Sequence, residues 1–369
     1  MKPIDLSKFS KSLTKSMPNI SVGFKDPSTW IHTGNYALNY RVSGDFHKGF
    51  PLEAKFTLLA GESGSGKSFV ASGNIAKWCQ DNGVLPIIID TENALDESWM
   101  RNFGVDPNGN IMKISANLID DIAKIMSDFI KEYKDTYSET PYEDRPKVLF
   151  IIDSLGMATT NVEVEQVEAG NIKGDMGRKQ KQLYSLCRTF MASCATEPIG
   201  LLATAHVYSS QDMFNPDSKI SGGSSLEYTP SIVIAMNKRK LKEDEDGNKT
   251  QDVKGIKVDA TVRKTRYTQP FQKITFNIPW DTGMDAYSGL FELFSESLTY
   301  NGKPVLVKEG NQYAYYSLKT GEQVFKKFRK NIEDSDYDIL MKDYMEVAQT
   351  EKSVDQILKS AESNSDELE

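Results

Sequence analysis

Residues 61–68 read GESGSGKS, and the patterns on either side fix what they can be. The run before them, KFTLLA (55–60), is short and continuously apolar, like a strand covered on both faces. The run after them, KSFVASGNIAKWCQ (67–80), has helical periodicity and is stopped by DNG. A Gly-x-x-x-x-Gly-Lys-Ser loop that joins a strand to a helix is a phosphate loop. Its glycines let backbone N–H groups curl toward an anion, and the helix N-terminus adds its dipole. The nucleotide site is therefore expected at Gly61, Glu62, Ser63, Gly64, Ser65, Gly66, Lys67 and Ser68. Lys67 supplies charge to the β- and γ-phosphates and the Ser68 hydroxyl is a Mg²⁺ ligand, so the implied cofactors are ATP and Mg²⁺.

The remaining pattern agrees with an α/β fold. PIIID (86–90), KVLFIID (147–153), IGLLATA (199–205) and SIVIAM (231–236) are further apolar strands. Helices are predicted at 117–133, with Leu118, Ile122, Ile125, Met126, Phe129 and Tyr133 on one stripe, and at 178–192, with Leu183, Leu186, Cys187 and Phe190 inward. Apolar strands separated by helices imply a mostly parallel central sheet flanked by helices. From 231 the pattern becomes an antiparallel meander through KGIKVDATVRK and FQKITFNI. The expected organisation is an N-terminal helix and linker at 1–30, a core at 31–290, and a small, partly helical C-terminal region at 291–369 ending in an acidic tail. That tail, SAESNSDELE, reads as solvated chain or as an electrostatic competitor for a basic groove.

Composition excludes little. Hydrophobic residues at 39% and charged residues at 26% are ordinary for a globular chain, and no apolar run is long enough to span a membrane. The basic N-terminus lacks an apolar segment, so it is not a secretory signal. Cys79, Cys187 and Cys194 read as reduced core residues, which suits the cytoplasm, of a bacterial host if the chain is phage-encoded. The net charge of −8 argues against a broadly basic surface but leaves room for a segregated nucleic-acid site.

Carboxylates end two of the apolar strands. Asp153 closes KVLFIID and follows the phosphate loop in order, as a Walker B acid that orients the Mg²⁺ shell would. The stretch IIIDTENALDESW (87–99) delivers Asp90 and Glu92 to the same crevice, because parallel strands share their carboxyl ends. Glu92 lies further out and is the candidate group for activating water. Asp96 supports the turn.

GESGSGKS, IIIDTENALDESWMRNFGVDP, LFIIDSLGMA, GDMGRKQKQLYSLCRTF, LLATAH, TVRKTRYTQPF and GMDAYSGLFE, in this order over about 30–295, resemble the RecA family of recombinases, and within it the UvsX type of T4-like phages. The resemblance implies that Glu92 is the catalytic carboxylate and that Trp99 stacks on adenine. It makes His206, at the end of LLATAH, the γ-phosphate sensor. It implies that Lys264 and Arg266 reach the nucleotide of a neighbouring subunit, as arginine fingers do. It makes 163–179 and 207–225 two DNA-binding loops. Lys173, Arg178, Lys181, Arg188 and Lys219 would then face phosphates, and Met213 and Phe214 would wedge between bases. Glu163, Glu165 and Glu168 make the first of these loops notably acidic for such a contact.

The function so implied is a DNA-dependent ATPase that assembles into helical filaments on single-stranded DNA and pairs it with homologous duplex DNA in recombination, repair and recombination-dependent replication. A recombination mediator and a single-strand-binding protein would be its partners, and the N-terminal segment would dock on the adjacent subunit. Two other readings compete. A hexameric RecA-like helicase shares the core, but an additional N-terminal domain is missing and the paired cations at 264 and 266 favour the recombinase. A repair mediator switched by ATP with little turnover is disfavoured by Glu92.

Overall fold

The structure, a computed structural model, describes residues 6–16, 26–171, 177–208, 219–220, 223, 225–242 and 251–365. Its centre is a mostly parallel sheet. The strands are β1 (Phe56–Gly61), β2 (Val84–Asp90), β3 (Met112–Ser115), β4 (Lys147–Asp153), β5 (Ile199–Tyr208), β6 (Lys219–Ile220), β7 (Ile232–Leu241), β8 (Gly255–Lys264) and β9 (Gln272–Pro279). Their order is β9-β8-β7-β1-β5-β4-β2-β3, with β6 paired to the end of β5. Strands β7, β1, β5, β4, β2 and β3 are parallel, while β7, β8 and β9 form the expected antiparallel meander. This is the RecA-like α/β core.

Alternate residues of each central strand enter two cores, one on each face. Leu59, Ile88, Ile151 and Leu202 point to one face, and Leu58, Ile87, Ile89, Phe150 and Ile152 to the other. That two-sided burial explains why the strands read as continuous apolar runs; each fully buried Leu, Ile or Phe contributes roughly 1.5–3 kcal/mol. Helix α5 (Ile119–Thr136) and helix α7 (Arg178–Ser193) cover the second face. On α7 the predicted residues Leu183, Leu186, Cys187 and Phe190 are buried. On α5 the stripe is rotated from the prediction. Ile119, Ile122, Met126, Ile130 and Tyr133 are buried, while Leu118 precedes the helix and Phe129 is half-buried. The i, i+3/i+4 pattern fitted both sets; the observed one is buried in the second core, with Phe129 at its edge against the Phe150 ring.

The helix after the phosphate loop has two parts, a π-helical turn Phe69–Ile75 and an α-helical end Ala76–Asp81. Helix α1 (Leu6–Ser16) lies in the expected N-terminal helix. The C-terminal region holds more strand than expected, with β10 (Leu306–Glu309), β11 (Gln312–Tyr316) and β12 (Gln323–Lys327) preceding a helix at Asp334–Ser365. Leu306, Tyr315, Phe325, Leu340 and Met341 join the same buried cluster as Val42 and Phe46. The last four residues of the acidic tail lie outside the described residues.

Candidate active site

The parallel register brings the site together. Gly61 ends β1 beside His206 of β5 and Met236 of β7, and Asp90 of β2 is level with Asp153 of β4. Gly64 and Gly66 have φ of 70° and 88°, so the loop between strand and helix uses backbone that other residues rarely adopt. A Cβ on Gly66 would also come within 2.9 Å of Ile278. The Ser65 hydroxyl inside this loop is buried with no hydrogen-bond partner among the described residues, as expected of a group placed to meet a phosphate oxygen.

Lys67 is 5% exposed, and its Nζ donates to the carbonyls of Gly61 at 2.9 Å and Glu62 at 2.8 Å. Burial lowers its pKa, an effect opposed by the nearby Asp153 and Glu92 carboxylates and reinforced by Lys238. Asp153 is 6% exposed and hydrogen-bonded through both oxygens. Its Oδ1 accepts from Ser68 Oγ at 3.2 Å and from Thr204 Oγ1 at 2.6 Å, and its Oδ2 accepts from Ser72 Oγ at 2.9 Å. Ser68 and Asp153 are therefore adjacent, and three hydroxyls fix the carboxylate plane. No group of three or more His, Cys, Asp or Glu that could hold a metal exists among the described residues. The donor set at Ser68 and Asp153 fits Mg²⁺, which keeps several waters and takes one or two protein ligands plus phosphate oxygens.

Glu92 projects from a turn that is pinned on both sides. Thr91 N–H donates to the Asp153 carbonyl at 2.9 Å, Thr91 Oγ1 donates to the Ser154 carbonyl at 2.8 Å, and Ser154 N–H donates to Thr91 Oγ1 at 2.9 Å. The Glu92 side chain is 37% exposed; its Oε1 accepts from Ser154 Oγ at 3.1 Å and lies 3.4 Å from His206 Nε2. Carboxylate and imidazole thus face each other across the mouth of the phosphate loop. His206 lies inside β5 rather than at its end, because the strand runs on to Tyr208 and pairs there with β6.

Asp90 and Glu92 do not share a role, although they are two residues apart. Asp90 is 1% exposed and caps the turn that carries Glu92, accepting from the N–H groups of Glu92, Ala94 and Leu95 at 3.2, 3.3 and 3.0 Å. Lys113 of β3 pairs with it at 3.1 Å. Asp90→Asn keeps the shape but removes the charge that these donors face. It is expected to destabilise the fold by about 2–4 kcal/mol and to lower turnover more than it raises the KM for ATP. Urea unfolding and steady-state kinetics check this; an unchanged midpoint with unchanged turnover would sink it.

Asp96 caps helix α4 (Glu97–Asn102), accepting from Trp99 N–H at 2.7 Å. Trp99 is half-buried and packs on Phe103, which in turn meets Phe69 at the start of the phosphate-loop helix; both ring pairs have centroids 4.4 Å apart. Lys264 ends β8 and its Nζ donates to the Tyr228 carbonyl at 2.5 Å, while Arg266 is exposed in the turn that follows. The two cations are close enough for Arg266 to add to the effect of burial in lowering the Lys264 pKa.

Of the first proposed DNA loop, residues Asn161–Glu168 are helical, and Glu163 forms a capping box with Thr160. Glu163 was therefore acidic for a structural reason. Arg178, Lys181 and Arg188 are exposed on α7, and their spacing of three and ten places them on one face, with Arg188 over the Tyr184 ring. Lys173, Met213 and Phe214 lie outside the described residues, and of Lys219 only the backbone, in β6, is described. Sequence reasoning missed Thr91, Ser154, Ser72, Thr204 and Lys238; the one visible signal was a hydroxyl residue next to each strand-end acid.

The chain is similar to the recombination and repair protein of Enterobacteria phage T4, at 26% identity over 86% of this chain and 74% of that protein. It is also similar to protein RecA of Leptospira biflexa, at 25% identity over 82% of this chain and 70% of that protein, and to protein RecA of Chlorobium chlorochromatii, at 24% over 79% and 74%. By this likeness the chain resembles the RecA recombinases. No family model matches it. No helix among the described residues is long and apolar enough to cross a membrane.

Proposed function

We propose that the chain is a RecA-type recombinase that binds ATP and DNA in recombination and repair, that it hydrolyses ATP with Glu92 as the water-activating group, and that it works as a filament on single-stranded DNA. The observation that carries the reading is the position of Glu92. An exposed carboxylate is held at the mouth of a complete phosphate loop, on a turn stitched to Asp153 and facing His206. Glu92 orients water and takes its proton, while Lys67 leaves the loop carbonyls to bind phosphate oxygens. Mg²⁺ held by Ser68 and Asp153 would supply charge neutralisation of the phosphates. His206 can report the terminal phosphate to β5, whose end pairs with β6 and leads into the proposed second DNA loop. Trp99, at the end of the aromatic row from Phe69, is proposed to cover the adenine. The basic face of α7, with Arg178, Lys181 and Arg188, is proposed to hold DNA phosphates.

The sheet register supports a role in trans for Lys264 and Arg266. Lys264 is level with Val233, and Val233 with Leu58, three residues back along β1 from Gly61. Lys264 thus lies on the order of 10 Å from the loop along the strands and two strands aside. Strand β8 runs away from the loop at that point, so the pair faces the opposite end of the sheet and suits the nucleotide of a neighbouring copy.

A joint-molecule assay with single-stranded DNA and homologous duplex, run with ATP and with a nonhydrolysable analogue, tests the reading. Joint molecules are expected with nucleotide; none under any nucleotide removes the recombinase. Microscopy with single-stranded DNA and ATP is expected to show filaments, and closed rings would favour a helicase.

A further inference from the structure

Lys238 belongs to no motif considered so far, yet it touches the phosphate loop. It lies on β7 two residues beyond Met236, which pairs with Gly61, and residues two apart on a strand share a face. Its Nζ donates to the Ser63 carbonyl at 2.5 Å, and a Cβ placed on Gly64 would lie 2.9 Å from that Nζ. A side chain at 64 would displace this cation.

Two ammonium groups therefore serve three successive carbonyls of one loop: Lys67 those of Gly61 and Glu62, Lys238 that of Ser63. The two feel each other, since the charge of Lys238 acts on Lys67 after burial and the opposing carboxylates. Like charges on one short loop repel unless an anion stands between them. An ammonium has three donors, so each lysine retains donors for a ligand while it holds a carbonyl. Their exposures differ: Lys67 is buried at the base of the loop and Lys238 is exposed at its rim.

We propose that Lys238 is a second same-chain cation of the nucleotide site, which meets the terminal phosphate of a nucleoside triphosphate and makes the loop prefer triphosphate over diphosphate. This rests on the nucleotide-site reading above. Lys67 reaches the β- and γ-phosphates from the base of the loop. Lys238 approaches from the rim, where only the outermost phosphate stands. It thus acts from the same subunit, whereas Lys264 and Arg266 act from the next.

The test measures equilibrium binding of Mg²⁺·ADP and of a nonhydrolysable Mg²⁺·ATP analogue to the full chain, for wild type, Lys238→Ala and Lys238→Arg. Lys238→Ala is expected to weaken the triphosphate analogue about tenfold, as loss of one charge-assisted hydrogen bond would, while ADP binding stays nearly unchanged. Lys238→Arg is expected to restore most of the preference. A triphosphate-to-diphosphate ratio that is unchanged in Lys238→Ala overturns the proposal, and so does an equal loss of both nucleotides, which would make Lys238 only a prop for the loop. Wild type that binds neither nucleotide overturns the nucleotide site itself, and the proposal with it.

Discussion

Glu92→Gln is expected to lower DNA-stimulated ATP hydrolysis by about 10²–10⁴-fold, the usual contribution of a positioned general base. The change is confined to chemistry for three reasons. First, the side chain is 37% exposed, so the substitution alters stability by no more than about 0.5 kcal/mol. Second, glutamine is isosteric and can still accept from Ser154 Oγ, so the turn keeps its shape. Third, the groups proposed to bind phosphate, Lys67 and the loop, are untouched, so the affinity for ATP should hold. The variant should therefore bind nucleotide and assemble on DNA while turning over slowly. Phosphate release gives the rate and nucleotide titration gives the binding. Retention of wild-type turnover would show that another group activates the water, and His206, 3.4 Å away, would be the next to test.

How much of this site the sequence shows depends on the kind of residue. The phosphate loop was legible because its chemistry demands glycines and a lysine at fixed spacing, and β1 and its helix follow directly. Glu92 and Asp153 were legible because a charge that ends a continuous apolar strand is exceptional. The partners that aim them were not. Ser72 and Thr204 reach Asp153 from elements 81 and 51 residues away in sequence, and no local pattern records such a meeting. The same limit separates Asp90 from Glu92. Both are acids after a strand, and only burial and three backbone donors reveal that Asp90 supports the turn. Helical periodicity located α5 but left its rotation ambiguous by one residue position, since Leu118 and Ile119 fit the stripe equally and only burial in the second core distinguishes them. In the first proposed DNA loop, acidic composition concealed a capping box, because Glu163 satisfies the Thr160 backbone N–H within the helix it begins.

Lys264→Ala is expected to remove hydrolysis as thoroughly as the loss of an arginine finger, about 10³–10⁵-fold, and to leave nucleotide binding by the separate subunit intact. The contrast follows from the register: the Lys264 backbone stands level with Leu58, three residues back from Gly61 and two strands aside, and its ammonium is turned to the Tyr228 carbonyl, away from its own loop. A decisive form of the experiment mixes two inactive variants. Wherever a Lys264→Ala subunit presents its intact Glu92 to the intact Lys264 of a Glu92→Gln neighbour, one complete site forms. A mixture of the two should therefore hydrolyse ATP, while each alone does not. If Lys264 served its own nucleotide, every subunit in the mixture would carry one defect and no activity would return. Strong weakening of nucleotide binding by the isolated Lys264→Ala subunit would point the same way. Restored activity in the mixture ties ATP turnover to contact between copies, which is what an ATP-dependent filament requires.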